Sequence, residues 1–151
     1  MNKFSYLIVL MLLCSNIYAE SNERDLETEL ADYISVEYAD CAAFYSFLSV
    51  GFEASDEFDS VAIAEKRTLQ AHGYSYQFAL TAGRSEEMAE KVAASRVQLS
   101  IQEMGKEIQG DMSNISVLLS KYSDRCKKAL DNPDAFMDVI YEEFLKMMLN
   151  K

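Results

Sequence analysis

The chain has 151 residues, enough for one domain with a modest core, and half of them are hydrophobic. Its formal net charge is −11, which makes nucleic acid a poor partner, because binding it needs a net basic face. One proline and five glycines, with no stretch of alternating apolar and polar residues, exclude a turn-rich all-β fold.

Residues 1–19 read as a secretory signal peptide. Lys3 supplies a positive start, Tyr6 to Leu13 is an uncharged apolar run, and Ala19 is the small residue at the cut. The apolar run is too short to span a bilayer, which argues against an uncleaved anchor. Lipidation at Cys14 is opposed by the bulky Leu13 before it. The expectation is a single domain over 20–151, periplasmic or secreted, without stable membrane insertion. Cys41 and Cys126 remain after cleavage, and an even cysteine count in an exported chain reads as a disulfide. That bond closes a loop of 85 positions. In the chain-entropy picture this stabilises by about 4–5 kcal/mol, less any strain.

A first helix is predicted from about Asn22 to Val50, with Leu26, Leu30, Tyr33, Ile34, Cys41, Phe44 and Leu48 on one face. Glu37 interrupts that face and belongs at its edge. Gly51 is a plausible stop, and 53–59 a polar loop in which Ser55 or Asp56 can cap the next helix. The second helix is predicted from about Glu57 to Ala82, with a stripe of Phe58, Ala62, Leu69, Tyr76 and Leu80. Ser85 with Glu86 and Glu87 suits the positive end of a third helix. From Met88 to Leu130 the apolar pattern is nearly continuous, and Gly110-Asp111 offers a break. Asn132-Pro133 caps a short last helix that buries Phe136, Ile140, Phe144 and Met147.

The disulfide decides between one long third helix and two. At ~1.5 Å rise per residue, an unbroken helix from Ser85 would carry Cys126 tens of ångströms past Cys41. Bridged cysteines need Cα atoms within about 7 Å. Reversal at Gly110 brings them level, so the expected fold is all-α: an up-down-up-down bundle of four helices plus a short C-terminal helix, stapled by one disulfide.

His72 is the only histidine. This leaves too few ligands for most zinc sites and no usual partner for a serine or cysteine nucleophile. There is no attached-haem motif, phosphate-binding glycine loop, nucleophile elbow or Glu-x-x-His pair. Glu86-Glu87 and Glu142-Glu143 sit at adjacent helix positions and diverge. Met88, Met104, Met112, Met137, Met147 and Met148 could hold copper(I) in an exported protein, but only Met147 and Met148 are neighbours, these diverge on a helix, and core filling is the better reading. The expectation is a protein that is not an enzyme, with no catalytic residue, metal or cofactor.

Charge and aromatics point to binding. From Glu20 to Glu65 there are thirteen acidic residues against Arg24 alone. Glu23, Glu27 and Asp32 could therefore meet a basic protein surface; a solvated, solubilising face is the plainer alternative. Tyr45, Phe47 and Phe52 do not all lie on the buried stripe of the first helix. They form a possible interaction patch, unless that helix is central and buried on two sides. The stretches 40–45 and 122–126 around the cysteines carry a general resemblance to small, exported, single-disulfide helical proteins of Gram-negative bacteria. The leading expectation is an envelope protein that recognises another protein, as an inhibitor, immunity or assembly factor. A small-molecule or lipid carrier with a cavity at Leu69, Tyr76 and Phe44 is the alternative. An acid-stress chaperone is another.

Overall fold

The computed structural model describes residues 3–150, with side chains from Asp25 to Asn150. The side chains of the expected signal segment, including Cys14 and the cut at Ala19, and that of Glu23 lie outside the described residues. The described residues are all-helical: α1 (Lys3–Glu53), α2 (Phe58–Thr81), α3 (Glu86–Glu107), α4 (Ile115–Asp131) and α5 (Pro133–Leu149), with a 3-10 turn at Met112–Asn114. None of these helices is long and apolar enough to cross a membrane.

Helix α1 is the centre. Every residue from Tyr38 to Tyr45 is buried except Asp40, which is half-buried. A helix apolar on all sides must be surrounded, and α1 is. The ring of Tyr38 lies 4.8 Å from Tyr74 and 5.8 Å from Phe78 of α2, and 5.5 Å from Phe136 of α5. Its hydroxyl donates to the Ala129 carbonyl of α4 at 3.4 Å. Phe44 meets Tyr122 of α4, and Tyr33 meets Phe144 of α5.

The contacts along α1 are ordered. On α2, Arg67 meets Tyr45 and Ser75 meets Ser35, and just past its end Arg84 meets Asp32. On α3, Arg96 meets Asp32, Ser100 meets Asp40 and Gly105 faces Phe47. On α4, Tyr122 meets Phe44, Cys126 meets Cys41 and Ala129 meets Tyr38. Cys41 and Cys126 stand at disulfide distance, with Cα atoms 5.1 Å apart.

The break expected at Gly110 is present. Gln109 and Gly110 both take left-handed backbone, φ 56° and 70°. The Gly110 N–H donates to the Gly105 carbonyl and that of Gln109 to Lys106. These two bonds define the helix ending known as the Schellman motif, which satisfies otherwise orphaned carbonyls. Asp111 then accepts from the Ser113 N–H and opens the 3-10 turn. Ser85 caps α3, and Asn132, followed by Pro133, caps α5.

Four local expectations are corrected. Gly51 does not stop α1, which continues to Glu53. Glu57, without a side-chain cap, precedes α2 in place of Ser55 or Asp56. The last helix is not short: at 17 residues it equals α4. The stripe foreseen for α2 is turned outward over its first half, with Phe58 68% and Leu69 73% exposed, while Tyr76 and Leu80 are half-buried. The buried face is instead Ala64, Ala71, Ser75 and Ala79. Small side chains let two helix backbones approach closely. Ser35 and Ser75 then lock the contact reciprocally, each hydroxyl donating to the other's carbonyl at 2.7 and 2.8 Å.

Candidate functional site

The acidic and aromatic residues singled out from the sequence part company in the structure. Glu27 is exposed on α1. Asp32 is not a free acid: Arg84 of the α2–α3 connection and Arg96 of α3 both donate to it, at 2.8 and 3.0 Å. Burial works to raise the Asp32 pKa, but the hydrogen bonds and charges of the two arginines outweigh it and hold the carboxyl below its usual range. Asp32 therefore ties α1 to α3 and to the connection that leads into it.

Tyr45 is buried, its ring 5.3 Å from Phe44, and its hydroxyl accepts from Arg67. Phe47 is half-buried and faces Gly105 of α3. Phe52 is half-buried too, and of the three aromatics it alone lines a groove on each side.

Two grooves flank Phe52. One, of about 380 Å³, runs between α1 and the start of α4 and is lined by Leu48, Phe52, Met112, Ile115 and Leu119, with Glu57 at its rim. The other, of about 160 Å³, lies between α1 and α2 and adds Tyr45, Ile63 and Arg67. A third depression, around Phe58, shares Glu57 with the first and Ser60 with the second. Phe58, Ile63 and Leu119 are all large apolar side chains left exposed around it. The sequence marked Phe52 of this surface but not Phe58. Phe58 reads as core from its helical spacing, whereas α2 buries its alanines.

A second cleft, of about 320 Å³, sits over Cys41 and Cys126 and is lined by Glu37, Asp40, Glu103, Glu107, Lys121 and Arg125. Both of its cations are held by carboxylates, while Asp40 and Glu103 have no basic partner among the described residues. Arg125 donates to Glu37 at 2.7 Å and to Glu143 at 2.7 and 3.2 Å, and it lies over the Phe136 ring. Lys121 and the Tyr122 hydroxyl both donate to Glu107, which holds that carboxyl below its usual range. Asp40 accepts from Ser100, yet burial pushes its pKa up. Glu37, named from sequence only as an interruption, is the partner that seats Arg125.

Among the described residues no group of three or more His, Cys, Asp or Glu is placed to hold a metal ion. Met104 fills core, while Met88 and Met147 are exposed. The carrier cavity foreseen at Leu69, Tyr76 and Phe44 is not assembled, since Leu69 faces solvent and Phe44 is buried. No protein-family model, curated protein or solved structure matches the chain.

Proposed function

We propose that this chain is an exported, non-enzymatic binding module that recognises another protein in the periplasm or outside the cell. The observation that carries the reading is the apolar surface around Phe52. A small monomer seldom leaves contiguous grooves and several large apolar side chains open without a use for them. Aromatic side chains at the centre of such a patch are the usual anchors of a protein interface. The apolar, uncharged run from Tyr6 to Leu13 supports export, and so does the buried cysteine pair. The order of contacts along α1 supports an up-down-up-down course for α1 to α4. In that course Phe52 and the start of α4 meet at one end of the bundle, where the α1–α2 connection also lies.

Replacing Phe52 with a photoreactive benzoylphenylalanine in the native host tests the reading. Illumination is expected to give a covalent adduct with another protein, absent when the same group replaces the exposed Tyr141 on α5. An adduct pattern identical at both positions, or none at Phe52, would remove the proposal.

A further inference from the structure

We propose that the groove between α1 and α4 takes a basic amphipathic helix of the partner, an inference that rests on the protein-binding reading above. The groove has two parallel-sided walls built from helix. Leu48 and Phe52 are one turn apart on α1, and Ile115 and Leu119 are one turn apart on α4. A channel between two such ridges fits the apolar stripe of a third helix, which presents side chains at the same spacing.

The charge around the groove selects the sign of the partner. Glu57 lines the groove, Asp56 and Asp59 line the adjoining depression, and Glu53 directly follows the groove residue Phe52; all four are exposed. None of the four is paired with a basic side chain among the described residues, and Glu57 has only the Ser60 hydroxyl. Elsewhere several acids that line a cleft or an interface are neutralised internally: Asp32 by two arginines, Glu37 and Glu143 by Arg125, Glu107 by Lys121. Arg67, the cation on the neighbouring groove, is itself held by Asp131 at 2.9 Å. No basic residue occurs in the sequence between Arg24 and Lys66. The open apolar groove thus coincides with unneutralised negative charge. A second copy of the chain would bring the same four carboxylates against this rim, and an anionic lipid surface would be repelled in the same way. A helix with leucines at one-turn spacing and lysines or arginines on its flanks satisfies both features.

The test uses three fluorescent peptides of about 18 residues, roughly five helical turns. One has a leucine stripe flanked by lysines, one has glutamates in place of the lysines, and one has the lysine composition scrambled so that no stripe remains. Anisotropy titration against the mature protein is expected to show binding of the first alone, weakening about tenfold between roughly 50 and 500 mM salt as the rim charges are screened. Neutralising the rim (Glu53→Gln, Asp56→Asn, Glu57→Gln, Asp59→Asn) should weaken binding by about tenfold and flatten the salt dependence. Leu119→Glu should abolish it. Unchanged circular dichroism and Tm in the rim variant, with peptide-induced NMR shifts at Leu48 and Leu119 in the parent protein, separate a lost site from a lost fold. Equal binding of the scrambled or glutamate peptide would overturn the proposal. So would binding to phosphatidylglycerol vesicles through this face, or self-association that Leu119→Glu abolishes. A protein adduct at Phe52 without preference for the lysine peptide would remove the basic helix and leave the binding module standing; absence of both would remove both.

Discussion

Asp32 and Asp40 sit on the same face-to-face contact of α1 with α3, and their surroundings push them in opposite directions. At Asp32 burial raises the pKa, but Arg84 and Arg96 overcome it and the net shift is downward. At Asp40 burial again comes first; Glu37 and Glu103 add to it, and the Ser100 hydrogen bond does not cancel the rise. The consequences for stability have opposite sign. A lowered pKa contributes stability that is present above the unfolded value and lost as pH falls through the folded one. A raised pKa contributes stability that is present below the unfolded value and lost as pH rises through the folded one. Asp32→Asn is therefore expected to lower Tm at pH 7, with the deficit closing as pH falls below the ordinary aspartate range. Asp40→Asn is expected to raise Tm at pH 7, with the gain closing as pH falls through the raised pKa to the ordinary aspartate value, a window above that of Asp32, because the amide oxygen still accepts from Ser100 and carries no charge to desolvate. Thermal unfolding of both variants from pH 7 to pH 3 reads this; parallel curves with the same sign would refute it.

At the scale of elements, helix ends and helix seams obey different rules. The end of α3 is a matter of backbone. Gln109 occupies the position where glycine is usual, and Gly110 follows it with φ 70° and no neighbour within 4 Å of a built Cβ. Sterics around the side chain are thus irrelevant there and only the left-handed backbone counts. Gly110→Val is expected to destabilise by more than ~1 kcal/mol, and Gln109→Gly to stabilise by up to ~1 kcal/mol. Gly105 lies inside α3, and a Cβ there would meet only the Phe47 ring at 3.9 Å, an ordinary contact. Gly105→Ala should therefore stabilise by up to ~1 kcal/mol. Urea unfolding of the three variants measures all of this; stabilisation by Gly110→Val would show that the turn is not left-handed in solution. The α1–α2 seam follows volume instead. Ala64, Ala71, Ser75 and Ala79 face α1 because close approach offers more contact than larger side chains could fill, so Leu69 and Phe58 are left outside.

For the whole molecule, the pair Cys41–Cys126 joins the central helix to α4 across 85 positions. Both cysteines are at most 1% exposed, so they sit inside the core they tie together. Cys126→Ser is expected to lower the unfolding free energy by about 3–5 kcal/mol in denaturant titration, chiefly by freeing the unfolded chain. Equal stability of the two proteins, with two alkylated thiols in the unreduced parent, would show that the bond does not form.

Helical class, the number of helices and the cysteine pairing were all legible from the amino acids. Each rests on local or one-dimensional information: apolar spacing, capping residues at Ser85 and Asn132, proline at 133, and a distance argument from helix rise. That argument also located the turn at Gly110, where propensity would have run straight through. The faces were less legible. Helical spacing marks which residues share a side, and it does not say which side meets a neighbour. Phe58 and Leu69 share a stripe in α2, yet the interface took the small residues on the other side. Tyr45 looked like a surface aromatic and Asp32 like a free acid, because the side chains that cover the one and neutralise the other are Arg67, Arg84 and Arg96, far away in sequence. Only the tertiary structure decided that Asp32, Glu37 and Asp40 of the first helix are engaged by other helices, that four acids at and beyond its end are not, and that one of these, Glu57, lines an apolar groove while Asp56 and Asp59 line the depression beside it. Contacts between residues distant in sequence set burial and charge, and burial and charge select the surface left for a partner.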